Sequence, residues 1–433
     1  MNENTSDVNN TWKYWRSRIF ITVWLTYMTY YLGRVNYSIA KSSIETEFPV
    51  VNAEVLGAIG SAFFFMYAIG QFVNGAIGDK IGARRLVALG LIVSSFINLL
   101  FGVSNGLIWM MFILWGLNGF FQAMGWAPSV KTVANWYPEK ERGKWSSRLG
   151  TSYQVGGAVS WILAMFIIVN LQLDWHFAFW VAGTIMLVSG IHWYIRVRNA
   201  PEEVGLPTIE EEDAGKMTMG EIREDTHLGF EYTIGNILRN KTVWFASLGL
   251  FSLNIVRYGI TEWLPYIIAT EAQGSSLFPV WKTIAFPIGG IIGALVCAWI
   301  SDKYLGRRRL PIVTLLFGGL GFSLVLYLFL PPLDLVLGVP MLIIIGFLVF
   351  GPHVILVSTI PMEFGTRKAA STATGFIDGW GYVGATVTSY GSALFLNAFG
   401  SEGAILSWAI VIILTGLILI LNWKSIPEKG EYY

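Results

Sequence analysis

The chain has 433 residues, of which 54% are hydrophobic and only 13% charged, and its mean hydropathy is +0.56. A soluble globular protein of this length rarely reaches such values, so the composition indicates a polytopic membrane protein. The net charge of +1 gives no indication of nucleic-acid binding. The single cysteine, Cys297, excludes an internal disulfide framework and a cysteine-based zinc cluster, and no metal or cofactor is expected.

Twelve apolar stretches of helical length follow one another along the chain. They lie near residues 19–40, 55–77, 86–104, 107–130, 145–169, 177–195, 243–263, 279–300, 310–330, 335–358, 371–397 and 402–423. Each is about long enough to cross a bilayer, since a helix rises about 1.5 Å per residue. We therefore predict an all-α polytopic membrane protein with twelve transmembrane helices. Residues 1–18 contain no small-residue cleavage site, so we expect a retained first helix and no removed signal peptide.

One long polar stretch interrupts this series. Residues 199–241 carry an acidic run, prolines and glycines, but too few apolar residues to form a core of their own. We interpret this stretch as a cytoplasmic linker. It would join an N-terminal six-helix half, residues 1–198, to a C-terminal six-helix half, residues 242–433.

Basic residues are concentrated in alternate loops, on the side that carries the N-terminus. They are Lys80, Arg84, Arg85, Lys140, Arg142, Lys144, Arg196, Arg198, Lys303, Arg307, Arg308, Arg309, Arg367 and Lys368. The opposite loops hold little beyond Lys41 and Lys282. By the positive-inside rule both termini are predicted to be cytoplasmic, in the inner membrane if the source is prokaryotic.

The first span contains an arginine, Arg34, which would be costly to expose to lipid. On a helix, Tyr27, Tyr31, Arg34, Ser38 and Lys41 form one polar stripe, so Arg34 is expected to face protein or water. The seventh span contains a similar stretch, an arginine followed by an aromatic and a small residue at positions 257–259.

The two halves repeat a loop motif. After the second span the motif contains Asp79, Gly82 and Arg84, and after the eighth it contains Asp302, Gly306 and Arg307. The offset from Asp79 to Asp302 is 223 residues. Two such loops at matching places indicate parallel repeats related by an axis along the membrane normal. Here the chain resembles the major facilitator superfamily, in which the Asp, Gly and basic residues of this loop brace neighbouring helix ends.

A narrower resemblance extends along almost the whole chain. Its motifs are YYLGRVNY at 30–37, GWAPSVKTVANW at 125–136, ERG at 141–143, QVGG at 154–157, NAPEEVGLP at 199–207 and RYGITEW at 257–263. The tract at 125–142 is the most specific. These motifs resemble those of the organophosphate:phosphate antiporters, the group with the glycerol-3-phosphate and hexose-phosphate transporters.

The resemblance implies that Arg34 and Arg257 hold the substrate phosphate. It also implies that Tyr27, Tyr31, Tyr67 and Tyr382 line the substrate cavity. The chemistry is suitable, because a phosphate monoester carries about −1.5 to −2 charge and guanidinium groups bind its oxygens in bidentate fashion. The alternatives are that the arginines pair with buried carboxylates and that the tyrosines only pack or anchor the helices at the membrane interface.

Some residues of this chain depart from the family pattern at positions that bear on the choice of substrate. Gln71 stands where the glycerol-phosphate branch has a lysine, and Tyr153 where it has a histidine. An acid, Asp378, lies in the eleventh span one turn before Tyr382, and His353 lies in the tenth. Asp378 is expected to contact a substrate hydroxyl, counter an arginine, carry a proton or make a helix-packing contact. His353 is expected to be a packing or helix-end residue more often than a proton carrier.

The leading hypothesis is a secondary transporter that exchanges a small organic phosphate ester for inorganic phosphate or another anion by alternating access, with Arg34 and Arg257 binding the anionic group. The alternative is a proton-coupled carrier of another organic anion, a sulfonate or carboxylate, that uses Asp378. A sensor or membrane enzyme is a third class, but no catalytic constellation stands out. The expected partners are the anionic substrate and the bilayer, and we expect a functional monomer.

Overall fold

The computed structural model describes residues 2–209, 239–272, 277–300, 303, 310–359 and 367–421. In chain order its α-helices are α1 (Asn2–Glu47), α2 (Ala53–Ile81), α3 (Ala83–Phe101), α4 (Ile108–Gln122), α5 (Trp126–Trp136), α6 (Glu139–Met165), α7 (Trp175–Arg196), α8 (Lys241–Glu271), α9 (Ala285–Ile300), α10 (Leu310–Tyr327), α11 (Gly338–Val354) and α12 (Arg367–Ile420). Short 3-10 helices lie at Pro201–Val204 and Phe278–Ile284, and π-helical turns at Phe166–Asn170 and Ile355–Thr359. The described residues form no strand.

Within the described residues, ten helices are long and apolar enough to cross a membrane. One of these, the segment Gly375–Ile420 of α12, is interrupted at Gly400, where φ is +70° and the chain turns between two predicted spans. Helix α1 is not among the ten. Its first span carries the polar stripe around Arg34, which lowers its hydropathy although these residues are buried. The prediction of an all-α polytopic membrane protein is confirmed.

The chain divides into two compact units. The first comprises Met1–Tyr37, Met66–Ala164 and Asp174–Arg223, and the second comprises Ser38–Phe65, Met165–Leu173 and Glu224–Tyr433. Helices α1 and α2 each contribute residues to both units. The predicted division into residues 1–198, 199–241 and 242–433 stays a prediction.

In the first unit, α3 packs against α4, α5 and α7. An aromatic cluster fills this core: Phe101 stacks on Phe179 at 4.6 Å between ring centroids, and Tyr37 lies 4.9 Å from Trp115. All four rings are buried. Large aromatic side chains bury much apolar surface, so this cluster holds α1, through Tyr37, against the core of the first unit.

In the second unit, α8 and α10 pack against α12, and α9 packs against α11. Glycines allow the close approach of α9 and α11. A Cβ built on Gly293 or Gly346 would collide with backbone atoms of the facing helix, at Phe347 and Phe286. Small residues at such contacts are how membrane helices pack without a hydrophobic driving force between them.

Candidate functional site

Arg34 lies in the first unit and is 3% exposed. Its guanidinium carbon lies 4.7 Å from the ring centre of Tyr31 and 4.6 Å from that of Tyr67. Its Nη2 donates to Oε1 of Gln122 on α4, at 3.3 Å. Aromatic faces and an amide oxygen stabilise the cation while leaving it its positive charge.

A break in the helix ladder precedes Arg34. Gly33 has φ −94° and ψ +17°, which are not helical, and its carbonyl oxygen accepts hydrogen bonds from two side chains. Asn118 Nδ2 donates to it at 2.8 Å and Asn98 Nδ2 at 3.2 Å, while Asn36 Nδ2 donates to Asn98 Oδ1 at 3.2 Å. A backbone carbonyl left unpaired at membrane depth is costly, so these asparagines hold the kink and thereby the direction of Arg34.

Aromatic rings form a wall beside Arg34. Tyr31 stacks on Tyr153 of α6 with 6.1 Å between ring centroids, and Tyr27 lies 4.8 Å from Trp126 of α5. Trp126 also contacts Tyr153 at 6.2 Å. A Cβ on Gly156 would lie 2.6 Å from the carbonyl oxygen of Met28, so only glycine permits this approach of α6 to α1.

The structure thus brings together five of the residues singled out in the sequence: Tyr27, Tyr31, Arg34, Tyr67 and Tyr153. Gln71 is half-buried one turn after Tyr67, and no hydrogen bond joins it to the cluster within the described residues. Sequence reasoning did not single out Gln122, the asparagines or Trp126. Of these, only Trp126 lies inside the most specific of the quoted motifs, at 125–142.

Arg257 lies on α8 in the second unit and is 7% exposed. Its Nη1 lies 2.9 Å from Nε2 of His353 on α11. An arginine can only donate, so Nε2 is the acceptor and the imidazole is neutral, with its proton on Nδ1. The guanidinium also lies 4.9 Å from the ring centre of Tyr258 and 5.1 Å from that of Phe350. His353 therefore contacts the predicted anion-binding arginine and is not merely a packing residue.

Tyr382 and Asp378 lie on α12, near the Arg257 region of α8. Tyr382 is buried and packs on Tyr258, with 6.2 Å between ring centroids. Asp378 is half-buried one turn earlier, and its carboxylate interacts electrostatically with Arg257. The structure places the two predicted residues of α12 near the second arginine.

The two arginines occupy matching places in the repeat. Arg34 and Arg257 are 223 residues apart, the same offset that separates Asp79 from Asp302. Both lie inside membrane-length helices, and both guanidinium groups lie over aromatic rings. Among the described residues, each unit therefore carries a buried arginine in a similar setting.

A buried ion pair that the sequence did not predict lies in the second unit. Lys41 Nζ lies 2.8 Å from Glu262 Oε2, and their side chains are 0% and 6% exposed. The ammonium also lies 3.9 Å from the ring centre of Trp263. One turn further along each helix, the Tyr266 hydroxyl donates to the Glu45 carboxylate. These two contacts join the last turns of α1 to α8.

The loop motif of the first half is braced by the segment after α7. Gly82 has φ +80°, a conformation suited to glycine, between α2 and α3. The next turn is capped by Asn199, whose Oδ1 accepts from the backbone N–H of Arg84 at 2.8 Å. Arg84 Nε donates to the Tyr194 carbonyl at 2.7 Å. Asp79 lies in α2, and Asp302, Gly306 and Arg307 lie outside the described residues.

The residues that the structure describes contain no group of three His, Cys, Asp or Glu side chains able to hold a metal ion. The first cluster offers a cation, aromatic faces and an amide, and the second offers a cation, aromatic faces, an imidazole and the Asp378 carboxylate. Cations in such settings bind and orient an anion.

Comparison with known proteins gives a consistent result. Residues 23–389 match the family model described as "Major Facilitator Superfamily". The fold is shared with a solved bacterial homologue of the human lysosomal transporter Spinster, in its inward-facing and occupied conformation. That structure has a TM-score of 0.74 at 14% sequence identity, over 96% of this chain and 98% of that one.

Curated relatives match the chain over nearly its whole length. A "Probable hexose phosphate transport protein" of Chlamydia pneumoniae is 30% identical over 99% of this chain and 95% of its own. The "Glycerol-3-phosphate transporter" of Bacillus subtilis is 30% identical over 99% and 96%. The "Membrane sensor protein UhpC" of Salmonella typhimurium is 29% identical over 98% and 96%. The predicted resemblance to this group is confirmed, and so is the predicted major facilitator fold.

Proposed function

The chain belongs to the major facilitator superfamily and, within it, to the organophosphate:phosphate antiporter family, and from this membership we propose that it exchanges a small organic phosphate ester for inorganic phosphate or another anion. It is a multi-pass membrane transporter and not an enzyme. Alternating access to the two sides of the membrane is the mechanism that fits two parallel repeats.

The matching positions of Arg34 and Arg257 in the repeat carry this proposal. Each arginine is buried inside a membrane-length helix, where a charge is costly unless it serves a ligand or a partner. Two guanidinium groups present planar pairs of donors suited to the oxygens of one phosphate dianion. We assign both to the anionic group of the substrate.

The remaining residues of the two clusters orient the arginines and contact the rest of the substrate. Gln122 and His353 are neutral acceptors that each hold one guanidinium by a charge-assisted hydrogen bond. Tyr27, Tyr31, Tyr67, Tyr153 and Tyr382 supply hydroxyls and aromatic faces, which suit a polyhydroxylated ester more than a fatty acid. Gln71 belongs to the same proposed site as a neutral polar group.

The positive charges of the two arginines explain why the proposed carrier would exchange one anion for another. Two cations that share one anion repel each other when the anion is absent, and this repulsion is strongest in a low-dielectric setting. The loaded carrier would therefore cross between its two open states more readily than the empty one. We further propose a functional monomer in the inner membrane with both termini cytoplasmic.

A second candidate is a proton-coupled carrier of a sulfonate or carboxylate. The electrostatic interaction of Asp378 with Arg257 favours it, because a carboxyl group there can exchange a proton as the anion arrives. Loss of positive charge at Gln71 and Tyr153, relative to the glycerol-phosphate branch, favours a less charged anion as well.

Binding of candidate ligands to the purified protein tests the proposal. Hexose phosphate, glycerol phosphate, inorganic phosphate and a sulfonate are each added, and the thermal midpoint is measured. A ligand present at about 100 times its Kd should stabilise the folded state by about 2.7 kcal/mol. We expect this shift for a phosphate ester, its loss in Arg34→Ala and Arg257→Ala, and its retention in Arg148→Ala, which removes an exposed arginine of α6. A shift with the sulfonate alone would favour the second candidate.

A further inference from the structure

Two adjoining cavities lie in the second unit, beside the turn at Gly400. The first, which we call the groove, has a volume of about 580 Å³ and runs between the two arms of α12 on either side of the turn. The second, which we call the vestibule, has a volume of about 430 Å³ and lies among the ends of α8, α10 and the second arm of α12. Leu328 and Glu402 line both cavities, so the two lie side by side.

The groove has an apolar surface. Val387, Phe395, Leu406 and Ile410 line it and are among the exposed large hydrophobic residues. Several of its polar side chains are already paired: Trp408 Nε1 donates to Ser392 Oγ at 2.8 Å, and Thr388 Oγ1 donates to the Ile255 carbonyl at 3.0 Å. The groove therefore favours a hydrocarbon ligand.

The vestibule has a mixed surface that includes two carboxylates. Glu271 and Glu402 line it and are exposed, and Ser401 Oγ donates to Glu271 Oε1 at 3.1 Å. The Tyr327 side chain is 6% exposed and also lines the vestibule, yet its hydroxyl has no hydrogen-bond partner among the described residues. A buried polar group without a partner in the protein points to a ligand or water that completes it.

The depth of the two cavities in the membrane matches this polarity. Glu271 is the last residue of α8 and Tyr327 the last of α10, so the vestibule lies where membrane helices end and lipid headgroups begin. The groove follows the arms of α12 away from that end, through residues that belong to the predicted spans. The apolar groove beside the vestibule with its two carboxylates therefore matches the two ends of a phospholipid, an acyl chain and a polar headgroup.

We propose that the groove and the vestibule together bind one phospholipid with a primary amine in its headgroup, phosphatidylethanolamine. An acyl chain occupies the groove, and the ammonium group lies between Glu271 and Glu402. The Tyr327 hydroxyl donates to a phosphate or ester oxygen of the same lipid. Two carboxylates attract an ammonium and repel an anionic headgroup, and a primary ammonium donates hydrogen bonds that a quaternary one lacks.

Native mass spectrometry of the full chain tests the proposal. The protein is released from detergent after equilibration with equal amounts of phosphatidylethanolamine and phosphatidylglycerol. We expect about tenfold more bound phosphatidylethanolamine, equivalent to about 1.4 kcal/mol. The double variant Glu271→Gln/Glu402→Gln removes both charges from exposed positions and should bind the two lipids equally.

A second variant tests the acyl-chain position. Gly391 lines the groove and a Cβ built on it meets no atom within 4 Å, so Gly391→Leu places a side chain in the groove. It should lower the occupancy of both lipids. The matched control Glu47→Gln, at the exposed end of α1, should leave the preference unchanged. Equal binding of both lipids by the unmodified chain, or an undiminished preference in the double carboxamide variant, would overturn the proposal.

Discussion

At the scale of single residues, His353 shows how a contact changes an interpretation. From the sequence it is a polar residue near a helix end, for which packing is the more frequent role. In the structure its Nε2 lies 2.9 Å from Arg257 Nη1, and its side chain is 7% exposed. The imidazole accepts a hydrogen bond at one edge of the guanidinium and so fixes that edge. His353 is therefore a positioning residue for Arg257.

Substitution of His353 gives a prediction with a built-in comparison. His353→Gln keeps an acceptor near the place of Nε2, whereas His353→Leu removes it and leaves the guanidinium edge without that bond. We expect the leucine variant to raise the KM for uptake about tenfold, a loss of about 1.4 kcal/mol, and the glutamine variant to have a much smaller effect. Uptake kinetics in proteoliposomes provide the measurement.

The control is His192→Leu, which removes a half-buried histidine from α7 in the first unit. It should transport as the unmodified chain does. A His353→Leu carrier with unchanged KM would show that this imidazole does not orient Arg257, and that the hydrogen bond has no part in anion binding.

At the scale of the helix, α1 combines a kink with a buried ion pair. The pair between Lys41 and Glu262 is almost completely removed from solvent, and the Trp263 ring covers the ammonium. Two ions in such a setting lose most of their hydration, so each depends on the other. Removal of one partner leaves an uncompensated buried charge.

A double-mutant cycle on this pair makes the second prediction. Lys41→Met and Glu262→Met should each destabilise the protein by about 3–5 kcal/mol, because each leaves one buried charge unpaired. The double variant should be more stable than either single variant. Thermal midpoints in detergent measure the three differences, with Lys144→Met, at an exposed residue of α6, as the control. Additive losses in the double variant would mean that the two side chains are not coupled.

Local sequence signals explain which elements could be predicted. Apolar runs locate the spans to within a few residues, since hydropathy is a local property. The polar stripe of α1 correctly indicates that Arg34 is buried in protein. The break between α4 and α5 at residues 123–125 is not visible in the same way, because the apolar run continues through it.

The features that the sequence did not predict depend on contacts between residues far apart in the chain. Lys41 looks like a loop charge in the sequence because its partner, Glu262, is 221 residues away. The kink at Gly33 depends on Asn98 and Asn118, which are 65 and 85 residues further along the chain. No local pattern reports such contacts, and only the family resemblance indicated that residues 67 and 153 would lie near residues 27 and 31.

At the scale of the whole molecule, the repeat is what connects structure to transport. Each unit holds a buried arginine among its described residues, and these two are separated by the same 223 residues as the acidic residues of the loop motif. Duplication of a six-helix half therefore accounts for two similar cation sites in one chain. In the proposed carrier, one phosphate group needs both.

The relatives include transporters and also proteins named as membrane sensors. A sensor and an exchanger can share a binding site, so ligand binding alone does not separate them. Movement of the ligand across a membrane distinguishes a transporter from a sensor. If that movement requires an anion on the far side, the transporter is an exchanger and does not perform net uptake.

The decisive measurement is uptake of a labelled phosphate ester into proteoliposomes that are either preloaded with inorganic phosphate or empty. Uptake into preloaded vesicles should be at least about tenfold faster, a difference in barrier of about 1.4 kcal/mol. Arg34→Lys keeps the charge but loses the planar fork, so it should be impaired almost as much as Arg34→Ala, while Arg148→Lys stays active. Rapid net uptake into empty vesicles, driven by a pH gradient and abolished by Asp378→Asn, would contradict exchange, and the absence of uptake in both vesicles would contradict transport.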